Sequence, residues 1–183
     1  MIFLLKSLRQ NTNELRYLRP IKDHFLKIIR NTPFPISAAL LKDASELTEL
    51  TRRSKAYWGY SAEHIRMWHD DLLVTESYID QHYVYLVRHQ GTIKGYYSYI
   101  GENDAIAKLD NLFIDPLNIG SGLGKQLMHD FLDRVRTQGF HKATLDSEPR
   151  AEAFYQKFGF RTVNHLESAI PGRALPVMEL ALL

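Results

Sequence analysis

Leu109-Asp110-Asn111-Leu112-Phe113-Ile114-Asp115-Pro116, followed after two residues by Ile119-Gly120-Ser121-Gly122-Leu123-Gly124-Lys125, reads as a strand, a glycine loop and the start of a helix. Three glycines on alternate positions bare the backbone N–H groups, and the helix that begins there adds the positive end of its dipole. The turn is therefore a ready site for a pyrophosphate. A phosphorylated cofactor is the first expectation.

Spacing decides which cofactor. A dinucleotide-binding turn needs G-x-G-x-x-G directly after a strand, but here the run is G-x-G-x-G, the third required glycine falls on Lys125, and Asp115 to Ile119 intervene. A P-loop needs G-x-x-x-x-G-K-[ST]; Gly124-Lys125 fits its end, yet Ile119 stands in the first glycine's place and Gln126 where the magnesium-binding hydroxyl belongs. Neither nucleotide motif survives, although Asp146, some distance past the glycines, keeps a Rossmann-like binder as a remote alternative.

The loop is similar to the acetyl-CoA loop of the GNAT N-acetyltransferases, [QR]-x-x-G-x-[GA] after a strand ending in a V-x-P-like step, supplied here by Ile114-Asp115-Pro116. Ile119 departs from the usual Gln or Arg, which removes a side-chain contact but leaves the glycine amides. Downstream, Glu148-Pro149-Arg150-Ala151-Glu152-Ala153-Phe154-Tyr155-Gln156-Lys157-Phe158-Gly159-Phe160 resembles N-x-x-A-x-x-x-Y-x-x-x-G-F. Two linked motifs are a far more specific signal than one glycine loop. The resemblance runs from about Pro33 to Leu183.

It implies a mixed α/β GNAT fold, a central and mostly antiparallel sheet splayed at the cofactor site and flanked by helices. It also implies an acetyl-CoA-dependent N-acetyltransferase in which a primary amine attacks the thioester directly. Leu112, Phe113 and Ile114 are expected along the pantetheine, the Leu112 N–H meeting the thioester carbonyl. Gly120, Ser121, Gly122, Leu123, Gly124 and Lys125 are expected around the pyrophosphate, with Lys125 adding a point charge. Glu148 is counted with the cofactor contacts. Tyr155 matches the tyrosine that protonates the departing thiolate; thiol and phenol values near ~8.5 and ~10 are close enough for such a transfer.

The general base is the least determined role. Many family members carry a Glu four residues before the carbonyl-contacting position, a place held here by Lys108. Asp110, two residues later on what alternation makes the same face, is the nearest carboxylate. Asp146, Glu148 and a water relay are alternatives. Trp58 and Tyr60, in a region that lines the acceptor pocket in many relatives, are expected to wall an amine by cation–π contact. Arg173, in Pro171-Gly172-Arg173-Ala174-Leu175-Pro176, reads as a solvated loop arginine, with a carboxylate partner as the alternative. Lys108 and Ile119 leave a second reading open, a non-catalytic acyl-CoA-binding module of the same fold.

Composition bounds the rest. With 183 residues, 45% of them hydrophobic, one domain with a sizeable core is expected. The absence of cysteine excludes disulfides, thiolate metal sites and a Cys nucleophile. Eight histidines show no metal spacing, so no metal is expected. Met1 to Leu5 is too short for a signal segment and no run approaches a membrane span, which points to a cytoplasmic protein without a membrane partner. Residues 1–33, at +5, read as a basic helical N-terminal extension, whereas residues 34–183, at −3, form the acetyltransferase domain. That slightly acidic body suits a cationic amine, small molecule or peptide, and argues against nucleic acid. A monomer or homodimer is compatible with all of this.

Periodicity predicts a strand over 36–41, a helix from Asp43 to about Ser54, a second over 61–73, and a hairpin of 83–88 with 93–100. A strand over 105–114 precedes a helix from Leu123 to Gly139 whose His129, Asp130, Asp133, Arg134 and Arg136 face water. Strands over 142–146, 160–166 and 177–182 close the chain, with a helix between Pro149 and Gly159.

Overall fold

The computed structural model describes residues 34–168, 170 and 172–182; the expected N-terminal extension lies outside the described residues. Seven strands form one sheet in the order β1-β2-β3-β4-β5-β7-β6. They are β1 (Ile36–Ala38), β2 (Tyr83–His89), β3 (Thr92–Asn103), β4 (Ile106–Ile114), β5 (Lys142–Asp146), β6 (Arg161–Glu167) and β7 (Ala174–Ala181). Every neighbouring pair is antiparallel except β4 and β5, which run parallel and are joined by helix α4 (Leu123–Thr137). A parallel pair needs a crossover connection, and α4 is that connection. The fold is the mixed α/β arrangement that the two motifs imply.

Two cores lie on the two faces of the sheet. On one, Leu123, Leu127, Met128, Phe131, Leu132 and Val135 of α4 are buried against Tyr97, Tyr99, Ala107, Leu109, Ala143 and Leu145. Each such side chain contributes about 1.5–3 kcal/mol by leaving water, well above helix-propensity differences of under about 1 kcal/mol, so the apolar stripe fixes where α4 sits. On the other face, Leu47 and Leu50 of α1 (Ala44–Tyr57) and Ile79 of α3 (Glu76–Gln81) pack on Val84, Leu86, Ile93 and Tyr96. Arg88 ties α1 to the hairpin by donating to Asp43 at 2.9 Å and to Glu46 at 2.7 Å.

Several expectations need correction. Strand β1 stops at Ala38, because the Leu40 N–H is taken by the Asp43 carboxylate at 2.9 Å and the chain turns through Leu41–Asp43. Asp43 precedes α1 as expected, but its side chain serves Leu40 and Arg88 rather than the helix. The helix expected over 61–73 is only α2 (Ala62–Met67), capped by Ser61. Past it Thr48 holds the chain, donating to the Val74 carbonyl and accepting from its N–H, and α3 follows unforeseen with Thr75 as its cap. Strand β7 starts at Ala174; Pro176 lies one residue beyond the β5 ladder, where Ser147 N–H donates to its carbonyl. Asp130 and Arg134 do not simply face water. Tyr97 donates to Asp130 at 2.5 Å, and Arg134 stacks on the Tyr85 ring at 3.8 Å.

Candidate active site

β4 pairs with β5 only from Ile106 to Leu109, then the two strands part while β4 stays on β3 as far as Ile114. The Asp115 N–H donates to Lys94 of β3, and strand groups alternate in direction, so the N–H and C=O of Leu112 and Ile114 point away from β3 into the gap. A wedge with unpaired backbone donors and acceptors results. It opens into a cleft of about 590 Å³ lined by Leu112, Phe113 and Ile114 on one side and Phe154 and Tyr155 on the other.

Between Ser98 and Tyr99 the register with β4 jumps from Asn111 to Leu109, leaving Asp110 as an extra, bulged residue. The bulge resets the alternation, so Ala107, Leu109, Leu112 and Ile114 all face the α4 side while Phe113 faces the α1 side. Asp110 therefore lies on the face opposite Leu109 and Leu112. Asp110 points with Asn111 toward α3, where its carboxylate accepts from the Tyr78 hydroxyl and, at 3.0 Å, from Asn111. Asn111 also donates to Tyr78 at 2.8 Å and to Ser98 at 2.9 Å, which fixes the group. Asp110 still lines the cleft.

The glycine loop closes the other end. Gly120 and Gly122 have φ of 83° and 89°, and Gly122 is the residue before α4. A Cβ on either meets nothing within 4 Å, so the bare backbone faces open space. The first-turn amides of a helix have no partner within it, and here they sit on the cleft wall with Gly120, Gly122, Gly124 and Lys125. The Ser121 hydroxyl and N–H both donate to the Asn118 carbonyl, at 2.6 and 3.2 Å, the Leu123 N–H donates to Ser121 Oγ at 3.4 Å, and the Leu123 side chain belongs to the core, so the amides open to a ligand are those of the glycines and Lys125. A cradle of bare amides, a helix N-terminus and an unpaired strand edge fit a pyrophosphate with an extended, amide-bearing arm.

Tyr155, on α5 (Glu152–Gln156), packs edge-on against Phe154 and Phe160. Its hydroxyl has no hydrogen-bond partner among the described residues, and burial pushes its pKa well up, so it stays protonated. Asp146 also lines the cleft but pairs with Lys108 at 2.7 Å. Trp58 lines the cleft too, its carbonyl accepting from Arg150.

Glu148 behaves least as the sequence suggests. Tyr60 donates to it at 2.5 Å, Lys55 at 3.1 Å and Arg173 at 2.7 Å. Burial opposes its charge, but the Tyr60 hydrogen bond and the Lys55 and Arg173 charges outweigh burial and hold the carboxyl below its ordinary value. Arg173 is thus no solvated loop residue; its carboxylate partner is Glu148. Burial pulls the Lys55 pKa down, Glu148 offsetting this only in part. Tyr60 meets the protein's own cations, Lys55 at 5.2 Å and Arg173 at 5.4 Å from its ring. Trp68 shares both cations at 5.0 and 5.7 Å and stands edge-on to Tyr60. Nothing in the spacing around Trp68 distinguished it from a core aromatic.

A sheet split at one parallel pair, with a helix N-terminus aimed into the split, defines a class of acyltransferases that use acetyl-CoA. The family model of the acetyltransferase (GNAT) domain matches residues 59–179, and the chain belongs to that family. The chain is similar to the PaiA N-acetyltransferase of Thermoplasma acidophilum solved with coenzyme A, at 20% identity and TM-score 0.67 over 82% of this chain and 99% of that one. It is similar in fold to the Salmonella typhimurium protein yncA with its cofactor acetyl-CoA, at 19% identity and TM-score 0.60 over 82% and 95%. A segment of 57 residues is 39% identical to glucosamine 6-phosphate N-acetyltransferase of Trypanosoma brucei brucei, spanning 31% of this chain and 39% of that relative's length. Among the described residues no group of three or more metal-ligating side chains is present, and no helix is long and apolar enough to cross a membrane.

Proposed function

We propose that the chain transfers an acetyl group from acetyl-CoA to a primary amine by direct attack. The observation that carries this reading is the parting of β4 and β5 beyond Leu109, which leaves the Leu112 N–H unpaired in a cleft shared with the glycine loop and Tyr155. Bound acetyl-CoA supplies an acetyl thioester open to attack by an amine. Gly120, Gly122, Gly124 and Lys125 hold the pyrophosphate through backbone amides, with Lys125 adding charge. Leu112, Phe113 and Ile114 hold the pantetheine arm, and the Leu112 N–H donates to the thioester carbonyl oxygen as its charge grows.

Tyr155 Oη gives its proton to the departing sulfur. Burial raises a thiol as it raises a phenol, so a cleft that disfavours tyrosinate also disfavours free thiolate and keeps the two groups matched. Asp110 takes the amine's proton, directly or through one water. Of the three candidate carboxylates, Asp146 and Glu148 are committed to cations, whereas the partners of Asp110 are a neutral hydroxyl and a neutral amide. No acyl-enzyme forms, and no side-chain nucleophile is needed.

Free-CoA release over a panel of primary amines tests this reading. Glucosamine 6-phosphate belongs in the panel because the Trypanosoma relative is named for it. Amine-dependent release supports the transferase; acetyl-CoA binding without release from any amine selects the non-catalytic acyl-CoA-binding module.

A further inference from the structure

Beside the cofactor cleft lies a second, open pocket of about 630 Å³, between the turn at Gly59 to Ser61, the Pro149-Arg150 turn and the chain entering β7. Glu148 and Arg150 line both cavities and form the wall between them. Glycine-loop residues line only the cleft and Arg173 lines only the second pocket, so Arg173 stands apart from the pyrophosphate site while Arg150 borders both cavities. Among the described residues lining this pocket, Glu148 is the sole acidic group, against Arg150 and Arg173.

Glu148 already answers Arg173 and Lys55, two positive charges for one negative. Arg150 is held by a neutral partner, the Trp58 carbonyl, so among the described residues its charge has no counter-ion in its hydrogen bonds. The pocket is therefore positive although residues 34–183 carry a slightly negative total. An acceptor that is only a cation meets repulsion here, contrary to the expectation from net charge.

We infer that the acceptor is an amine that also carries an anionic group, a carboxylate or a phosphate, bound in this pocket by Arg150 and Arg173 while its amino end passes Glu148 into the cleft. The inference rests on the transferase reading above. Guanidinium groups suit it because their fixed forks match carboxylate and phosphate oxygens two at a time. The position of the anion then selects the substrate and sets the distance from anion to amine.

Matched amine pairs test it: phosphoethanolamine with ethanolamine, and β-alanine with its amide. CoA release is measured for each, alongside calorimetric titration of the same compounds into acetyl-CoA-saturated protein. The anionic member of at least one pair is expected to show a kcat/KM about 100-fold higher, as a charge-assisted contact predicts, and its pair identity tells phosphate from carboxylate. Arg150→Met is expected to reduce that ratio to within about 5-fold when both members of a pair are assayed at saturating acetyl-CoA, and Arg150→Lys to restore part of it. Arg173→Met is expected to act likewise, but its loss also exposes Glu148, so Arg150 carries the decision. Equal or better use of the neutral members overturns the inference, as does an unchanged ratio in Arg150→Met. If no amine releases CoA, the transferase reading fails, and titration alone judges the pocket: Arg150-dependent binding of the anionic members supports it and absence of binding overturns it.

Discussion

Arg173 Nη2 lies 2.7 Å from Glu148 Oε2, the same oxygen that accepts from Lys55 Nζ at 3.1 Å. One carboxylate thereby joins α1, the end of β5 and the segment entering β7 at the wall between two cavities. Its three donors leave it little freedom, and the exposure of its side chain is 14%.

Replacing that charge separates the pair's energetic role from its shape. Glu148→Gln leaves Lys55 and Arg173 facing each other without a counter-charge, at an expected cost of about 3 kcal/mol. For a chain of this size, that reads as a Tm lower by about 6–12 °C in scanning calorimetry. An unchanged Tm contradicts a stabilising role for the cluster.

The same group sets an acid limit. Burial raises the Glu148 pKa, the Tyr60 hydrogen bond and the Lys55 and Arg173 charges lower it more, and the folded value ends below the ordinary 4.5. A carboxyl depressed by folding contributes stability that is complete above its unfolded value and is lost as pH falls through the folded one. Tm in the wild-type protein is expected to fall more steeply below pH 4.5 than in Glu148→Gln. Parallel curves contradict the assignment.

Tyr155→Phe removes a hydroxyl that has no partner among the described residues and keeps the ring against Phe154 and Phe160. Stability is expected to stay level while turnover falls by about 10²–10⁴ with acetyl-CoA affinity little changed. Tyr155→Ala is expected to lose about 3 kcal/mol as well, through lost packing. Wild-type turnover in the Phe variant moves the proton donor elsewhere.

Asp110→Asn keeps an oxygen for Tyr78 and removes the charge. Turnover is expected to fall by about 10²–10³ with Tm unchanged, and the loss to narrow as pH rises and more amine is free. Equal turnover at every pH assigns the base to water.

What could be read from the sequence was local chemistry. The positive-φ glycines, the start of α4 and the apolar stripe beneath it are encoded in adjacent residues, and the expected hairpin is joined by a turn at Gln90-Gly91. Helix α3 escaped because six residues after Thr75 carry too little periodicity, although a threonine before Glu76 was a usable cap signal. The bulge at Asp110 left no mark in the alternation, since Asp110-Asn111 reads as two ordinary strand positions. Arg173 and Glu148 are 25 residues apart and meet only because β7 lies beside β5. Net charge is a poor guide for a related reason: it averages over a surface, whereas the pocket is lined by two arginines, Arg150 and Arg173, brought together from two segments.

Gly124 offers the most direct test of the central claim, because its φ is not in the left-handed region and an added Cβ meets Phe154 and Ile114 at ordinary distances of 3.6–3.8 Å. Gly122→Val is less clean, since φ of 89° strains any side chain and costs about 1–2 kcal/mol in the fold itself. Free-CoA release with an accepted amine is therefore compared between wild-type and Gly124→Val proteins of similar Tm. The account predicts amine-dependent release in the wild type and its loss in the variant, whose valine methyls crowd the pyrophosphate cradle. Release at the wild-type rate from Gly124→Val, at low and saturating acetyl-CoA alike, contradicts it.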